Sequence, residues 1–156
     1  MTPLPPSLKS SWQMAALSRD VAAKPLVRTV AGVPLVLFRT PAGISVLIDR
    51  CPHRNYPLSE GQLVEGTLQC PYHGWRFGPD GACIEVPGCA LSDGQDQRLA
   101  ATPVVVKEIN GAVLIRLDGD AAAPLPDLTV WGAPHHDHFW WSQGVWRGRA
   151  LDALEN

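Results

Sequence analysis

Two short segments, each with one cysteine and one histidine, constrain this sequence more than any other feature. The first is Cys51-Pro-His53 and the second is Cys70-Pro-Tyr-His73, and sixteen residues separate His53 from Cys70. Each segment is rich in Pro and Gly, which indicates a loop rather than one face of a helix. The sequence therefore predicts two loops that bring two thiolates and two imidazoles to one site.

This set of side chains is typical of an asymmetric [2Fe-2S] cluster, in which two thiolates bind one iron and two neutral imidazoles bind the other. A structural zinc site also uses two cysteines and two histidines, but its cysteines usually form one close pair and its histidines another. Here each segment supplies one of each. A third interpretation is that the four residues are buried and only make hydrogen bonds. The spacing favours the cluster, with Cys51, His53, Cys70 and His73 as ligands.

The motifs Cys-Pro-His-Arg, Pro-Leu-Ser-Glu-Gly and Cys-Pro-Tyr-His-Gly-Trp, within residues 51–75, resemble those of the Rieske [2Fe-2S] family. They are most similar to the oxygenase branch, the terminal (alpha) subunits of Rieske non-haem iron oxygenases that act on aromatic rings. The resemblance implies an all-β fold of antiparallel sheets, with a small cluster-binding subdomain formed by the two ligand loops.

The same motifs differ from those of high-potential Rieske proteins. In those proteins each loop carries a further cysteine, and the two form a disulfide. The matching positions here are Tyr56 or its neighbours and Tyr72, and Trp75 replaces a serine whose hydroxyl bonds to a cluster sulfide. Hydrogen bonds to the sulfurs raise the reduction potential. The resemblance therefore implies a potential near the low end of the Rieske range, about −150 mV.

Composition excludes some classes of partner. The chain has 156 residues, enough for one domain with a hydrophobic core, and its net charge of −2 provides no basic patch for nucleic acid or an anionic membrane. The first ten residues are polar and rich in proline, which predicts an arm rather than a signal peptide. The longest apolar run, residues 33–38, is too short to span a bilayer. We therefore expect a cytoplasmic protein with Cys83 and Cys89 as free thiols.

Short apolar runs rich in β-branched residues indicate an all-β chain. Fifteen prolines and fourteen glycines punctuate these runs, as is typical of short strands joined by many turns. Asn110-Gly111 is the strongest two-residue hairpin signal. No long helix is predicted before residue 118. The predicted strands cover residues 12–17, 26–30, 33–39, 44–49, 62–64, 67–69, 102–108 and 112–117.

The composition changes after residue 117. Residues 118–130 are rich in Gly, Pro and small side chains, which predicts a linker after a Rieske domain that covers residues 1–117. Residues 131–156 contain four tryptophans, Trp131, Trp140, Trp141 and Trp146, so this segment needs a partner surface. In the oxygenases that the sequence resembles, a catalytic domain follows, and one of its first helices carries a Glu-Asn pair. The resemblance makes residues 131–156 the truncated start of that domain, with the pair at Glu155 and Asn156.

The resemblance also implies a mononuclear Fe(II) bound by two histidines and a carboxylate, a site that these 156 residues do not provide. The only rival iron ligands are His135, His136, Asp137 and His138, which are adjacent in a predicted loop where neighbouring side chains point different ways. A loop surface or a hydrogen-bonding role is favoured for them over an iron site. We therefore expect the Fe(II) only in a catalytic domain missing from this sequence.

The function implied by the resemblance is electron transfer. The domain would accept electrons from a reductase or ferredoxin and pass them to the mononuclear iron of a ring-hydroxylating or demethylating oxygenase, usually that of a neighbouring subunit. Oxygenases of this kind are commonly homotrimers. The alternative is a self-standing Rieske-type ferredoxin, a carrier without an active site of its own. Residues 118–156 favour the oxygenase, because a carrier can end once its sheet is complete.

Overall fold

The structure is a computed structural model that describes residues 6–91, 97–128, 131, 133–135, 137 and 139. It contains one short helix and ten strands, with three 3-10 turns at Ser18–Asp20, Leu58–Glu60 and Gln97–Leu99. The elements are α1 (Pro6–Lys9), β1 (Gln13–Leu17), β2 (Leu26–Val30), β3 (Val33–Thr40), β4 (Gly43–Ile48), β5 (Gln62–Val64), β6 (Thr67–Gln69), β7 (Arg76–Phe77), β8 (Cys83–Glu85), β9 (Val105–Ile109) and β10 (Ala112–Arg116).

The strands form three antiparallel sheets. Sheet A has the order β1-β10-β9, sheet B the order β2-β3-β4, and sheet C the order β5-β6-β7-β8. Within sheets B and C, each strand pairs with the strand that follows it in the chain. Sheet A joins the two ends of the domain, because β1 pairs with β10. The all-β architecture with antiparallel sheets is the one predicted from the sequence.

Strand β3 is buried on both faces, and this determines how the sheets pack. Successive side chains of a strand point to opposite sides. Leu35 and Leu37 accordingly pack into a core shared by sheets A and B, together with Val113 and Ile115. Val36 and Phe38 pack into a second core with residues of sheet C and of the two predicted ligand loops. Sheet B is therefore the middle layer of the domain.

The second core includes residues of the two predicted ligand loops. Its buried members come from sheet B, from sheet C, from the two predicted ligand loops and from the segment before β9. Apolar surface removed from water here holds the loops against sheet B, at about 25 cal/mol per Å² of buried apolar area. The buried residues are Val36, Phe38, Leu47, Cys51, Leu58, Leu68, Cys70, Phe77, Cys83 and Ala101.

Most predicted strands are present, with small shifts at their ends. The runs 26–30, 62–64 and 67–69 agree with β2, β5 and β6, and the others differ by one or two residues except at one place. Residues 102–104 are not part of β9. Instead, Ile48 N donates to Thr102 O and Val104 N donates to Val46 O, so this segment lies along β4 before the chain enters sheet A.

Two strands were not predicted from the sequence. They are β7, which has two residues, and β8, which has three. Neither is long enough to show an alternating pattern, and both lie between Gly and Pro residues. They pair because the chain leaving the second ligand loop returns alongside β6.

The turn at Asn110-Gly111 is the hairpin that the sequence predicts. Both residues have positive φ angles, 47° and 83°, and the flanking strands β9 and β10 pair in register. Two such φ angles define a type I′ turn, whose twist matches that of the strands it joins. The turns at Ala31-Gly32 and Glu65-Gly66 have the same pair of positive φ angles.

Residues 118–124, part of the predicted linker, lie against the domain. Leu117 N and Asp118 N both donate to Lys9 O, at the end of α1. Further along, Trp12 Nε1 donates to Pro124 O over 3.0 Å, and the neighbouring Ala123 is buried. This stretch therefore packs beside sheet A. The domain boundary after residue 117 stays a prediction.

Several predicted features lie outside the described residues. These are residues 1–5 of the N-terminal arm, the tryptophans at 140, 141 and 146, and the Glu155-Asn156 pair. In the part of the chain that is described, no helix has the length and apolar character needed to cross a membrane.

Gly81 and Gly119 form a matched pair for testing the packing of sheet C. Both have φ +82°, but a Cβ on Gly81 would lie 2.1 Å from Ala101 O, whereas a Cβ on Gly119 would meet nothing within 4 Å. Gly119→Ala should lower the free energy of unfolding by about 1 kcal/mol, the cost of positive φ alone. Gly81→Ala should cost about 3 kcal/mol or more, because the backbone must also move. Equal losses in urea titrations of the two variants would contradict this packing.

Candidate metal centre

The first predicted ligand loop leaves β4 and turns sharply. Cys51 N donates to Tyr56 O over 2.8 Å, and Asn55 N donates back to Cys51 O over 2.8 Å. Asn55 has a φ of +58°, a conformation that asparagine adopts more readily than most residues. His53 lies in the middle of this turn, with its side chain exposed.

The second loop has the same backbone hydrogen bonds. Cys70 N donates to Trp75 O over 2.8 Å, and Gly74 N donates to Cys70 O over 3.0 Å. Gly74, four residues after the cysteine, has a φ of +76°, as Asn55 has positive φ in the first loop. The two loops are thus the same turn built twice, with the histidine two residues after Cys51 and three residues after Cys70.

The predicted cysteine and histidine ligands differ in how deeply they are buried. Cys51 and Cys70 are each only 2% exposed and belong to the second core. His53 and His73 are exposed, and the centres of their rings lie 4.7 Å apart. The structure therefore places the two thiols together on the inside and the two imidazoles together on the outside.

Burial is the main influence on the chemistry of the thiols. The pKa of Cys51 is raised to about 11, first by burial and also by the nearby Cys70 thiol, against the opposing effect of the His53 backbone N–H. A buried pair of thiolates is stable only beside a positive charge, because burial penalises the charged form. Iron(III) would supply that charge, so this pair fits a metal that binds thiolate.

The imidazoles are suited to metal binding for a different reason. The pKa of His53 is lowered, first by desolvation of the ring and then by the nearby His73 and Arg54. Neutral imidazole is the form that coordinates a metal. The site thus favours the protonation state that iron requires.

Aromatic rings surround the two histidines. Trp75 stacks on His53, with ring centres 4.6 Å apart and planes only 4° from parallel. Tyr72 covers the other imidazole, with its ring centre 3.9 Å from that of His73, although 51% of Tyr72 remains exposed. Trp75, which is half-buried, thus shields the site better than Tyr72 does.

A contact between the loops was not predicted from the sequence. The rings of Tyr56 and Tyr72 lie 5.4 Å apart and join the tips of the loops. The sequence indicates that these positions lack a disulfide and that Tyr72 shields the site from water, but it does not predict that the two rings meet. Tyr56 lies five residues after Cys51 and Tyr72 two residues after Cys70, so the sequence spacing carries no signal for this contact.

Gly61 allows the loops to approach each other below their tips. A Cβ at this position would lie 2.1 Å from Gln69 O, the carbonyl that directly precedes Cys70. The backbone after the first loop therefore lies against the strand that enters the second loop. Only glycine permits this approach, which the sequence alone does not reveal.

The other candidate residues from the sequence are His135, His136, Asp137 and His138. His135 and Asp137 are exposed, while His136 and His138 lie outside the described residues. No disulfide joins any of the four cysteines, all of which are described, and burial raises the pKa of Cys83. Among the described residues, no group of three or more His, Cys, Asp or Glu side chains is placed to hold a single metal ion.

Two equivalent loops on an all-β framework, with paired thiols inside and paired imidazoles outside, define an iron–sulfur electron-transfer domain. The family model of the Rieske [2Fe-2S] domain matches residues 11–108, which is more than half of the chain. The chain belongs to this family.

Similar proteins are oxygenase components. The chain is 48% identical over 81 residues to the oxygenase component of dicamba O-demethylase from Stenotrophomonas maltophilia, covering 51% of this chain and 24% of that protein. It is 33% identical over 140 residues to the 3-chlorobenzoate-3,4-dioxygenase oxygenase subunit from Comamonas testosteroni, covering 87% of this chain and 32% of that protein. The relation to oxygenases predicted from the motifs is thereby confirmed.

A solved structure supports the same relation. The crystal structure of dicamba monooxygenase bound to dicamba superposes with a TM-score of 0.70 at 38% sequence identity. The match covers 81% of this chain and 39% of that one. The chain thus spans well under half the length of the relatives and structures named here.

Trp75 provides a test of the stacking on His53. Trp75→Ala should lower the free energy of unfolding by about 2 kcal/mol, less than the loss of a fully buried tryptophan, because the indole packs on His53 and the second core. Trp75→Phe keeps an aromatic face there and should cost less than about 1.5 kcal/mol. Denaturant titrations measure both values. A phenylalanine variant as unstable as the alanine variant would show that the stacking contributes nothing.

Proposed function

We propose that Cys51, His53, Cys70 and His73 bind a [2Fe-2S] cluster, with the cysteines on one iron and the histidines on the other. The pairing of thiol with thiol and imidazole with imidazole supports this assignment, because each iron of such a cluster takes one kind of ligand. A structural zinc would require all four side chains to converge on one ion. The observation that carries the proposal is the separation of buried thiols from exposed imidazoles.

When bound, the cluster would accept and release one electron at a time. The protein's own residues determine where that exchange takes place. The second core buries the Cys51 and Cys70 thiols, so this side is closed to partners. His53 and His73 are exposed at the other side, where a redox partner can approach. Trp75 stacks on His53 and limits the access of water to that ligand.

The whole protein is, by this proposal, an oxygenase component in which this domain receives electrons from a reductase or ferredoxin. It passes them to a mononuclear non-haem iron of a catalytic domain, since one of the similar crystal structures is dicamba monooxygenase with non-haem iron and dicamba. The names of the relatives, dicamba O-demethylase and 3-chlorobenzoate-3,4-dioxygenase, support a substituted aromatic substrate. The same relatives disfavour a self-standing ferredoxin.

Location and assembly complete this proposal. We place the protein in the cytoplasm, where reductases and ferredoxins of this kind supply electrons and where thiols such as Cys83 and Cys89 stay reduced. We expect a homotrimer in which each domain serves the iron of a neighbouring subunit. We expect neither nucleic acid nor a membrane as partner, because a net charge of −2 offers no basic surface to either of them.

His73→Ala tests the ligand assignment. It should abolish the EPR signal of the reduced Rieske cluster, because one iron would lose one of its two protein ligands. His135→Ala is the matched control, since His135 is also exposed but lies outside the two loops. This control should keep the full signal. An unchanged spectrum in the His73 variant would refute the assignment.

The reduction potential tests which branch of the family the domain belongs to. We expect a midpoint near the low end of the Rieske range, about −150 mV, because Trp75 cannot supply the hydroxyl that raises the potential in other members. A redox titration followed by visible circular dichroism measures this value. A clearly positive midpoint would place the domain with the high-potential proteins and contradict the proposal.

A further inference from the structure

Asp49 lies two residues before Cys51 and binds the far end of the first ligand loop. Its Oδ1 accepts a hydrogen bond from Ser59 N over 2.7 Å, and its Oδ2 accepts one from Ser59 Oγ over 2.6 Å. Both carboxylate oxygens are thus engaged by one residue ten positions along the chain. We call this pair the Asp49–Ser59 clamp.

One end of the clamp is held by sheet B and the other by the second core. Asp49 N donates to Pro34 O of β3 over 2.9 Å, which fixes the aspartate on sheet B. Ser59 belongs to the 3-10 turn Leu58–Glu60, and the neighbouring Leu58 is fully buried in the second core. The clamp therefore closes the base of the loop against a fixed support, and it encloses both Cys51 and His53.

The two ligand loops are closed in different ways. At the base of the second loop, β6 pairs with β7 through Gln69 and Arg76 and through Leu68 and Phe77. The first loop leaves β4 but returns in a 3-10 turn rather than in a strand paired with β4. The clamp holds the base of the first loop where the second loop has a β-ladder.

We propose that Asp49 is a positioning residue for the iron–sulfur centre, holding Cys51 and His53 in place by closing the first ligand loop onto Ser59. This inference rests on the proposed function, because it assumes that those two residues are ligands. Hydrogen bonds to a carboxylate are stronger than those between neutral groups. Opening the clamp should therefore let the cluster leave more easily while the three sheets remain folded.

The test measures how fast an iron chelator bleaches the visible absorption of the cluster in the purified holoprotein. Asp49→Ala removes both hydrogen bonds and should bleach about tenfold faster or more, the scale expected for lost hydrogen bonds to a charged group. Ser59→Ala removes only the hydroxyl and should show an intermediate rate. It also keeps the test open if Asp49→Ala fails to fold.

Asp49→Asn separates positioning from charge. The amide oxygen can accept from Ser59 N and the amide nitrogen can donate to Ser59 Oγ, so the clamp keeps its shape without its charge. This conservative variant should restore a bleaching rate within about threefold of the original protein, well below the loss for alanine. Its EPR line shape should stay narrow, whereas Asp49→Ala should broaden the lines because the ligands are no longer held in one geometry.

Ser18→Ala is the matched control. Ser18 also lies in a 3-10 turn and also donates through its hydroxyl to a carboxylate, that of Glu108, but it belongs to the region of sheet A. Its loss should lower the melting temperature without changing the bleaching rate or the EPR spectrum.

Three results would overturn the inference. Asp49→Ala could bleach no faster than the original protein, or it could bleach faster only in step with a lower melting temperature, as a general loss of stability would predict. Asp49→Asn could bleach as fast as Asp49→Ala, which would assign the effect to charge. An original protein without any Rieske spectrum would instead refute the proposed function, and this inference with it.

Discussion

The burial of strand β3 on both faces is the constraint on which the rest of the structure depends. Its alternating side chains hold sheet A on one side, through Leu35 and Leu37, and the cluster-binding region on the other, through Val36 and Phe38. A change of register by one residue would exchange the two sets, so the alternation fixes the register. The ligand loops therefore rest on a sheet that is itself held from behind, and the two cysteines become part of the core.

Placing the cysteines in the core has a chemical consequence. The burial that packs the cysteines into the core also disfavours their charged thiolate form, as the raised pKa of Cys51 indicates. The bound metal would relieve this conflict, so that binding free energy also becomes stability of the loop region. The histidines need no such compensation, because they lie at the surface and would bind a metal in their neutral form. By the proposed function, the cysteines would hold one iron on the buried side of the site, and the histidines would hold the other on the side that partners can reach.

The sequence was sufficient to predict the parts of the structure that depend on local pattern. The Pro and Gly residues around the Cys-His motifs predicted the two loops, short apolar runs rich in β-branched residues predicted β2 to β6, and Asn110-Gly111 predicted a hairpin. What could not be predicted depends on contacts between distant residues. The short strands β7 and β8 exist because β7 pairs with β6 and β8 pairs with β7. Residues 102–104 follow β4 because of two backbone hydrogen bonds. Residues 118–124 have the composition of a linker, yet Trp12 fastens them to the domain.

The unequal closure of the two loops shows how side chains can replace secondary structure at a site. The backbone turns around Cys51 and Cys70 are the same, so the local geometry of each loop is specified by its own hydrogen bonds and its positive φ angle. Their placement relative to the fold is specified differently. The second loop is positioned by backbone hydrogen bonds between β6 and β7, which most side chains can accommodate. The position of the first loop depends on the hydrogen bonds between the Asp49 carboxylate and Ser59. The geometry around Cys51 and His53 is therefore more sensitive to single substitutions.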